Sequence, residues 1–406
     1  MPPTTTPRPR AMTWLWGPAF VASVAYVDPG NVAANLTSGS QFGYRLVWVL
    51  VAANLVAMLV QYLSAKLGLV TGRSLPELLG ARLRRWPRWL FLAQAEIVAI
   101  ATDLAEVIGG ALALKILFDL PLVIGGIIVG LVSLGLLLVQ SARGEKTFEH
   151  VIIALLIIIA VGFVAGLFVV HVDWLAAADG LIPSFDGRQS VLLAASMLGA
   201  TVMPHAIYAH SALEIDRHGQ VPDNQVRSIL KGTRLETAVA MVFAGAVNIA
   251  MLVLAAAALP GVAGTDSIIG AHNAIADQLG PAVGVLFAIG LLASGLASTS
   301  VGAYAGVTII EGLVRVKVPI VVMRLITLVP ALVILGVGVD PTWALVISQV
   351  VLSVGIPFAL IPLVWLGRDR LMRQFRNSMS VQVIAWLAIG GIIALNLALI
   401  WLTVSG

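Results

Sequence analysis

Four residues that a membrane helix would avoid stand together in "AYVDPGNVAANL" (25–36): Asp28, Pro29, Gly30 and Asn31. Asp28 offers a carboxylate and Asn31 an amide oxygen, both hard donors for a cation. Pro29 lacks an N–H and clashes with the carbonyl one turn earlier, and Gly30 removes a side chain that would hold the register, so a helix here is expected to unwind. Unwinding frees carbonyls around Ala25 and Tyr26. A second interruption lies in "GATVMPHAIYAH" (199–210), where Pro204 is expected to free carbonyls around Ala200 and Thr201. Beside it Met203 brings a thioether, which adds little for Mg²⁺ or Ca²⁺ but is acceptable to Mn²⁺, Fe²⁺, Co²⁺ or Cd²⁺. A methionine in an apolar helix is ordinarily packing; its place beside Pro204 and opposite Asp28 is what makes it a candidate ligand. His205 and His210 lie on different helix faces and are not expected to share one ion, though either could carry a proton.

A second chemistry lies in "AEIVAIATDLAEVIGG" (95–110). At about 100° per residue, Asp103 falls roughly 20° and Glu106 roughly 80° from Glu96, so the three carboxyls share one helix face. Uncompensated at the bilayer centre, three such groups would cost on the order of 8–10 kcal/mol. Such a stripe marks a proton or ion relay, or else carboxyls hydrogen-bonded to neighbouring helices. Arg324 is the natural counter-charge, because a lone intramembrane arginine needs an anion. Lys66 is expected to snorkel to the interface. Gln349, in "ALVISQVVLSVGIPFALIP" (344–362), either donates an amide oxygen to an ion or bonds a neighbouring helix.

These residues need elements that can hold them in lipid, and the composition supplies them. Of 406 residues, 59% are hydrophobic and 11% charged, and the mean hydropathy is +1.00. This is the composition of an all-α polytopic membrane protein. Eleven spans are expected near 13–36, 44–71, 89–117, 119–140, 149–171, 190–213, 233–259, 282–313, 318–338, 343–366 and 379–404. With residues 1–12 as a cytoplasmic tail, nineteen of the 24 Lys and Arg residues fall in connections on one side, against Arg45, Lys115 and Arg188 on the other. Positive charge stays on the cytoplasmic side, which predicts a multi-pass protein with a cytoplasmic N-terminus and an external C-terminus. The basic pI then reflects topology, and no nucleic-acid partner is expected. The chain has no cysteine, which excludes disulfides and thiolate metal sites. The N-terminal ten residues are too short and proline-rich for a signal peptide, so the first span is expected to be retained.

Five-span units at 13–171 and 190–366 would insert with opposite polarity, because five is odd; 379–404 is then an eleventh helix. Pro29 and Pro204 interrupt the first span of each unit. Paired interruptions in inverted halves point to a transporter's central site.

With both motifs in view, DPGN at 28–31 and MPH at 203–205, together with "ATDLAE" (101–106), the chain resembles the Nramp (natural resistance-associated macrophage protein) family, which includes the bacterial MntH-type transporters. The likeness runs from about residue 13 to the end. It implies a LeuT-like fold, a 5+5 inverted repeat with discontinuous helices 1 and 6, and proton-coupled import of divalent transition metals, chiefly Mn²⁺ and Fe²⁺. It implies metal ligation by Asp28, Asn31 and Met203, joined in particular conformations by the carbonyls of Ala200 and Ala25 and the amide of Gln349. The implied proton route runs from Asp28 to Asp103, with Glu106 and Arg324 beyond, His205 nearby and Glu96 on the same stripe. Met323 stands where some relatives carry a second arginine. Met203 sets the chain apart from magnesium- or aluminium-transporting relatives, which lack it.

The leading expectation is therefore a monomeric secondary transporter, with no cofactor and no enzymatic activity, whose partners are metal ions, protons and the bilayer. A sodium-coupled carrier of organic solutes usually needs a glycine-rich first break to hold a carboxylate, which Asp28 would repel. An intramembrane metalloprotease would need HExxH, which is absent. A channel would differ in showing no stoichiometric coupling to protons.

Overall fold

A computed structural model of the chain describes residues 17–143 and 145–404. Among these residues there is helix and no strand. The helices are α1 (Pro18–Val24), α2 (Pro29–Phe42), α3 (Val47–Thr71), α4 (Leu75–Arg82), α5 (Arg85–Phe118), α6 (Leu122–Arg143), α7 (Glu145–Val164), α8 (Trp174–Asp179), α9 (Gly187–Thr201), α10 (Pro204–His218), α11 (Asp223–Ala258), α12 (Ile268–Leu279), α13 (Pro281–Val314), α14 (Ile320–Val337), α15 (Pro341–Leu366) and α16 (Met379–Val404). The expected tail 1–12 and the start of the first span lie outside the described residues.

Ten stretches among the described residues are long and apolar enough to cross a membrane, against the eleven spans expected. The difference is at the first span, which the break divides into the short Pro18–Val27 and a stretch, Pro29–Thr71, that runs on through α3. Gly43, at φ 59, ends α2, and a 3-10 turn over Gly43–Leu46 leads into α3. Other helices extend further than hydropathy suggested: α11 begins at Asp223 rather than near 233, since Arg227, Lys231 and Arg234 continue the helix beyond its apolar part. Three short helices fall in segments read as plain connections. α8 and α12 occupy the two longest, and α4 starts at a capping box in which Ser74 accepts from the Glu77 N–H and Glu77 reaches back to the Ser74 N–H.

Burial sorts the bundle into centre and rim. In α5, 89% of the most apolar window is buried, against 28% for α16 and 33% for α6 and α14. α5 packs along α13 and α15, and α11 packs along α2 and α3, so the broken segments sit among elements that are themselves enclosed. One apolar cluster joins α1, α5, α7, α11 and α13 around the first break, with Tyr26, Val27 and Met203 among its members. The close approach is made by glycine: a Cβ on Gly109 of α5 would stand 2.1 Å from the Pro29 Cβ. Any side chain at 109 would push α5 off the break.

Candidate transport site

The DPGN run works as a helix N-terminus built in mid-bundle. Asp28 is extended (φ −79, ψ 167) and caps α2, its Oδ1 accepting the Asn31 N–H at 2.8 Å, while Pro29 takes the first helical position, where an N–H is not needed. α1 meanwhile closes in a 3-10 turn, Ala25–Val27. The carbonyls expected to be free at this break are only partly so. The Tyr26 carbonyl accepts from Asn248 Nδ2 at 2.6 Å, and the Val27 carbonyl accepts from Ser294 Oγ at 2.5 Å. Asn248 is itself held by Asn35, whose amide donates to its Oδ1 at 2.7 Å. Sequence reasoning missed Asn248 and Ser294; the available signal was an amide inside the apolar part of α11 and the first of several hydroxyls in α13.

The second break is built differently. α9 ends at Thr201, Val202 and Met203 are non-helical (ψ 85 and 120), and α10 restarts with Pro204 at its first position. Met203 makes no side-chain cap, is fully buried, and belongs to the same apolar cluster as Ala25 and Val27. The two breaks are tied together by Asn31. Its Nδ2 donates to Asp28 Oδ1 at 2.6 Å and to the Ala200 carbonyl at 3.0 Å, and its Oδ1 lies 3.2 Å from Thr201 Oγ1. Asp28 Oδ2 has no hydrogen-bond partner, and neither atom of the Gln349 amide has one, although both residues are buried. A Cβ on Gly30 would stand 2.0 Å from Gln349 Nε2 and 3.0 Å from Asp28 Oδ2. The glycine thus admits Gln349 over the break, beside the unpartnered carboxylate oxygen.

The carboxylate stripe divides. Arg324 of α14 places Nη1 2.6 Å from both oxygens of Asp103, and both residues are buried. Geometry this close is needed to offset the desolvation of two charges. The pairing of Arg324 with an anion, expected from its cost in lipid, is what the fold contains. Glu106 does not share the guanidinium. Fully buried, it has no partner on either oxygen and lies against Gly302 of α13, where a Cβ would be 3.1 Å from Oε2. Glu96 likewise lacks partners. Met323, the neighbour of Arg324, is buried with its methyl against Gly306, filling apolar space.

The two histidines go separate ways. His205 sits one residue past Pro204 with both ring nitrogens unpartnered. His210 Nδ1 lies 2.8 Å from Gln61 Oε1, and Gln61 Nε2 donates to the Tyr26 hydroxyl at 2.7 Å. His210 Nε2 lies 3.4 Å from Glu214 Oε1. A buried polar chain therefore leads from the first break through α3 to α10, and Gln61, like Asn248, was not singled out beforehand. Among the described residues no three His, Asp or Glu side chains converge as a metal cage. The candidate ligands are instead one carboxylate, amides, a carbonyl and a thioether.

The family model described as "Natural resistance-associated macrophage protein-like" matches residues 19–402. The chain belongs to the Nramp family. Among curated Nramp-type relatives, a protein of Mycobacterium tuberculosis (strain ATCC 25618 / H37Rv) named "Divalent metal cation transporter MntH" is 59% identical over 395 residues, covering 97% of this chain and 92% of the relative. One of the same name from Deinococcus radiodurans is 42% identical, covering 96% and 90%. A solved Nramp-type structure, the Eremococcus coleocola manganese transporter, superposes with a TM-score of 0.87 at 29% identity, covering 97% of this chain and 88% of that one. Mhp1, a nucleobase-cation-symport-1 family transporter, matches with a TM-score of 0.55 at 14% identity, and so shares the LeuT-like fold alone.

Proposed function

We propose that the chain is a proton-coupled secondary transporter that imports divalent transition-metal ions, Mn²⁺ foremost and also Fe²⁺, Co²⁺ and Cd²⁺, by alternating access. We place it in a bacterial inner membrane with its N-terminus cytoplasmic and its C-terminus outside, acting as a monomer. The observation that carries this reading is Asn31, whose side chain joins the Asp28 carboxylate of one break to the Ala200 carbonyl of the other. Relatives named as divalent metal cation transporters span nearly the whole chain.

The hydrogen bonds around Asn31 suggest how the site takes a cation. Thr201 has one hydroxyl proton and two acceptors in reach, the Met197 carbonyl at 2.6 Å and Asn31 Oδ1 at 3.2 Å. If Thr201 donates to Met197, its oxygen can accept from an Asn31 amide rotated by half a turn. That rotation turns the amide oxygen toward Asp28 Oδ1 and the Ala200 carbonyl. Three oxygens facing one another repel unless a cation lies between them. The rotated amide is therefore the metal-holding state, and the amide with nitrogen inward is the state that substitutes an N–H donor for the ion. Asp28 Oδ2 and Gln349 supply further oxygen, and Met203 supplies the sulfur that disfavours Mg²⁺ and Ca²⁺.

A dication favours the ionised carboxylate, so loading displaces a proton from Asp28 toward Asp103. Glu106, buried without a partner, extends that relay. Uptake of Mn²⁺ into liposomes holding a metal-sensitive dye, with a pH dye in parallel, tests the reading. Metal uptake that acidifies the lumen supports it; metal uptake with no proton movement would contradict coupling.

A further inference from the structure

A crevice of about 500 Å³ lies between α3, α11 and the start of α16, away from the two breaks. Its wall is apolar along α3, where Leu55 and Leu59 line it and Leu55 is largely exposed to the surroundings. At its other end stand two cations, Lys66 of α3 and Arg234 of α11. Lys66 Nζ donates to the neutral Asn377 Oδ1 at 2.8 Å. Among the described residues neither cation has a carboxylate within ion-pair distance, in contrast to the paired Arg324. Ser378, exposed just before α16, adds a hydroxyl at the same end.

The spacing along α3 sets a length. From Lys66 to Leu55 the helix rises about 16 Å, the reach of much of one acyl chain within a hydrocarbon leaflet. Lys66 lies five residues from the end of α3 at Thr71, at the end of the bundle that carries the basic connections. Lys66 and Arg234 thus present two positive heads with no carboxylate beside them at the level of the interface, and the anion most abundant there is a lipid phosphodiester. We propose that this crevice binds one anionic phospholipid of the surrounding bilayer, with its phosphate between Lys66 and Arg234 and an acyl chain along Leu59 and Leu55. The two cations select charge, and the apolar wall selects a lipid over a soluble phosphate.

Native mass spectrometry of the purified full chain, titrated with dioleoyl-phosphatidylglycerol or dioleoyl-phosphatidylcholine, tests the proposal. Each cation near a membrane surface favours an anionic lipid about fivefold, so one phosphatidylglycerol is expected to be retained about 30-fold over phosphatidylcholine. The preference is expected to vanish in Lys66→Gln/Arg234→Gln and to persist in Arg234→Lys, with Mn²⁺ affinity by calorimetry unchanged throughout. Should the double variant fail to fold, Arg234→Gln, at an exposed side chain, is expected to lower the preference about fivefold. Equal retention of the two lipids by the unaltered chain, or a preference undiminished in a folded variant, would overturn the proposal. So would glycerol 3-phosphate binding as tightly as phosphatidylglycerol, which would mark a soluble-anion site.

Discussion

The two helix breaks differ in how their loose ends are secured. At the first, Asp28 caps the helix that follows, and the carbonyls of the helix that precedes are bonded by Asn248 and Ser294 from separate elements. At the second, no side chain caps α10, and the Ala200 carbonyl accepts from Asn31, which belongs to the first break. The first break is held by its own surroundings; the second is held through the site. Charge sits where the backbone is pinned, and the soft ligand sits where the backbone has least independent support. A cation between them would therefore act on the second break more than on the first, which suits an element that moves during transport.

Substitutions can break that contrast. The largest effect is expected from Asp28→Asn, which removes the carboxylate charge from the site while leaving an amide oxygen able to cap α2; Mn²⁺ affinity by calorimetry should fall by about a hundredfold or more, on the scale of 2.7 kcal/mol. Met203→Ala is expected to weaken Mn²⁺ about tenfold while narrowing its advantage over Ca²⁺, read from competition in liposome uptake. Equal losses for the two ions would return Met203 to a packing role. Thr201→Val removes the group that would hold the rotated Asn31 amide and is expected to cost several-fold in affinity, on the scale of an outer-shell partner. Ser294→Ala leaves the Val27 carbonyl unpaired and is expected to cost about 1–3 kcal/mol of thermal stability, with Mn²⁺ affinity nearly unchanged, because it acts on the pinned side.

Two further predictions lie away from the breaks. Asp103→Asn is expected to uncouple proton flow while leaving metal binding largely intact, checked by a pH dye inside liposomes. The smallest effect belongs to Asp369, outside the spans. Its carboxyl is held below the usual range by the Leu371 N–H and then by Arg82, at 2.8 Å. A lowered pKa stabilises the fold above the unfolded value, and that contribution is lost as pH falls through the folded one. Asp369→Asn should cost at most about 1 kcal/mol at neutral pH, and in strong acid the variant and the unaltered chain should melt alike.

Much of this was legible in the sequence because proline, glycine and buried charge carry their own instructions. Pro29 and Pro204 dictate where helices restart, and Arg324 demands an anion wherever the fold puts it. An amide or hydroxyl in an apolar span carries no address. Asn248, Ser294 and Gln61 could each have met any carbonyl or side chain at their depth, and only the packing of α3, α11 and α13 against the first break selects which. The short helices α4, α8 and α12 escaped notice because hydropathy averages over windows longer than they are. The division of the carboxylate stripe was also hidden: one helix face can meet two neighbours, and Asp103 meets α14 while Glu106 meets α13.

The claim on which the rest depends is that both breaks grip one ion. Anomalous diffraction at the manganese edge from crystals grown with Mn²⁺ tests it most directly. The expected result is a single strong peak about 2–2.6 Å from an Asp28 oxygen and the Ala200 carbonyl, with the Asn31 amide oxygen turned inward and the Met203 sulfur in contact. A peak ligated by residues of one break alone, with the Met203 sulfur directed away from it, would contradict the account.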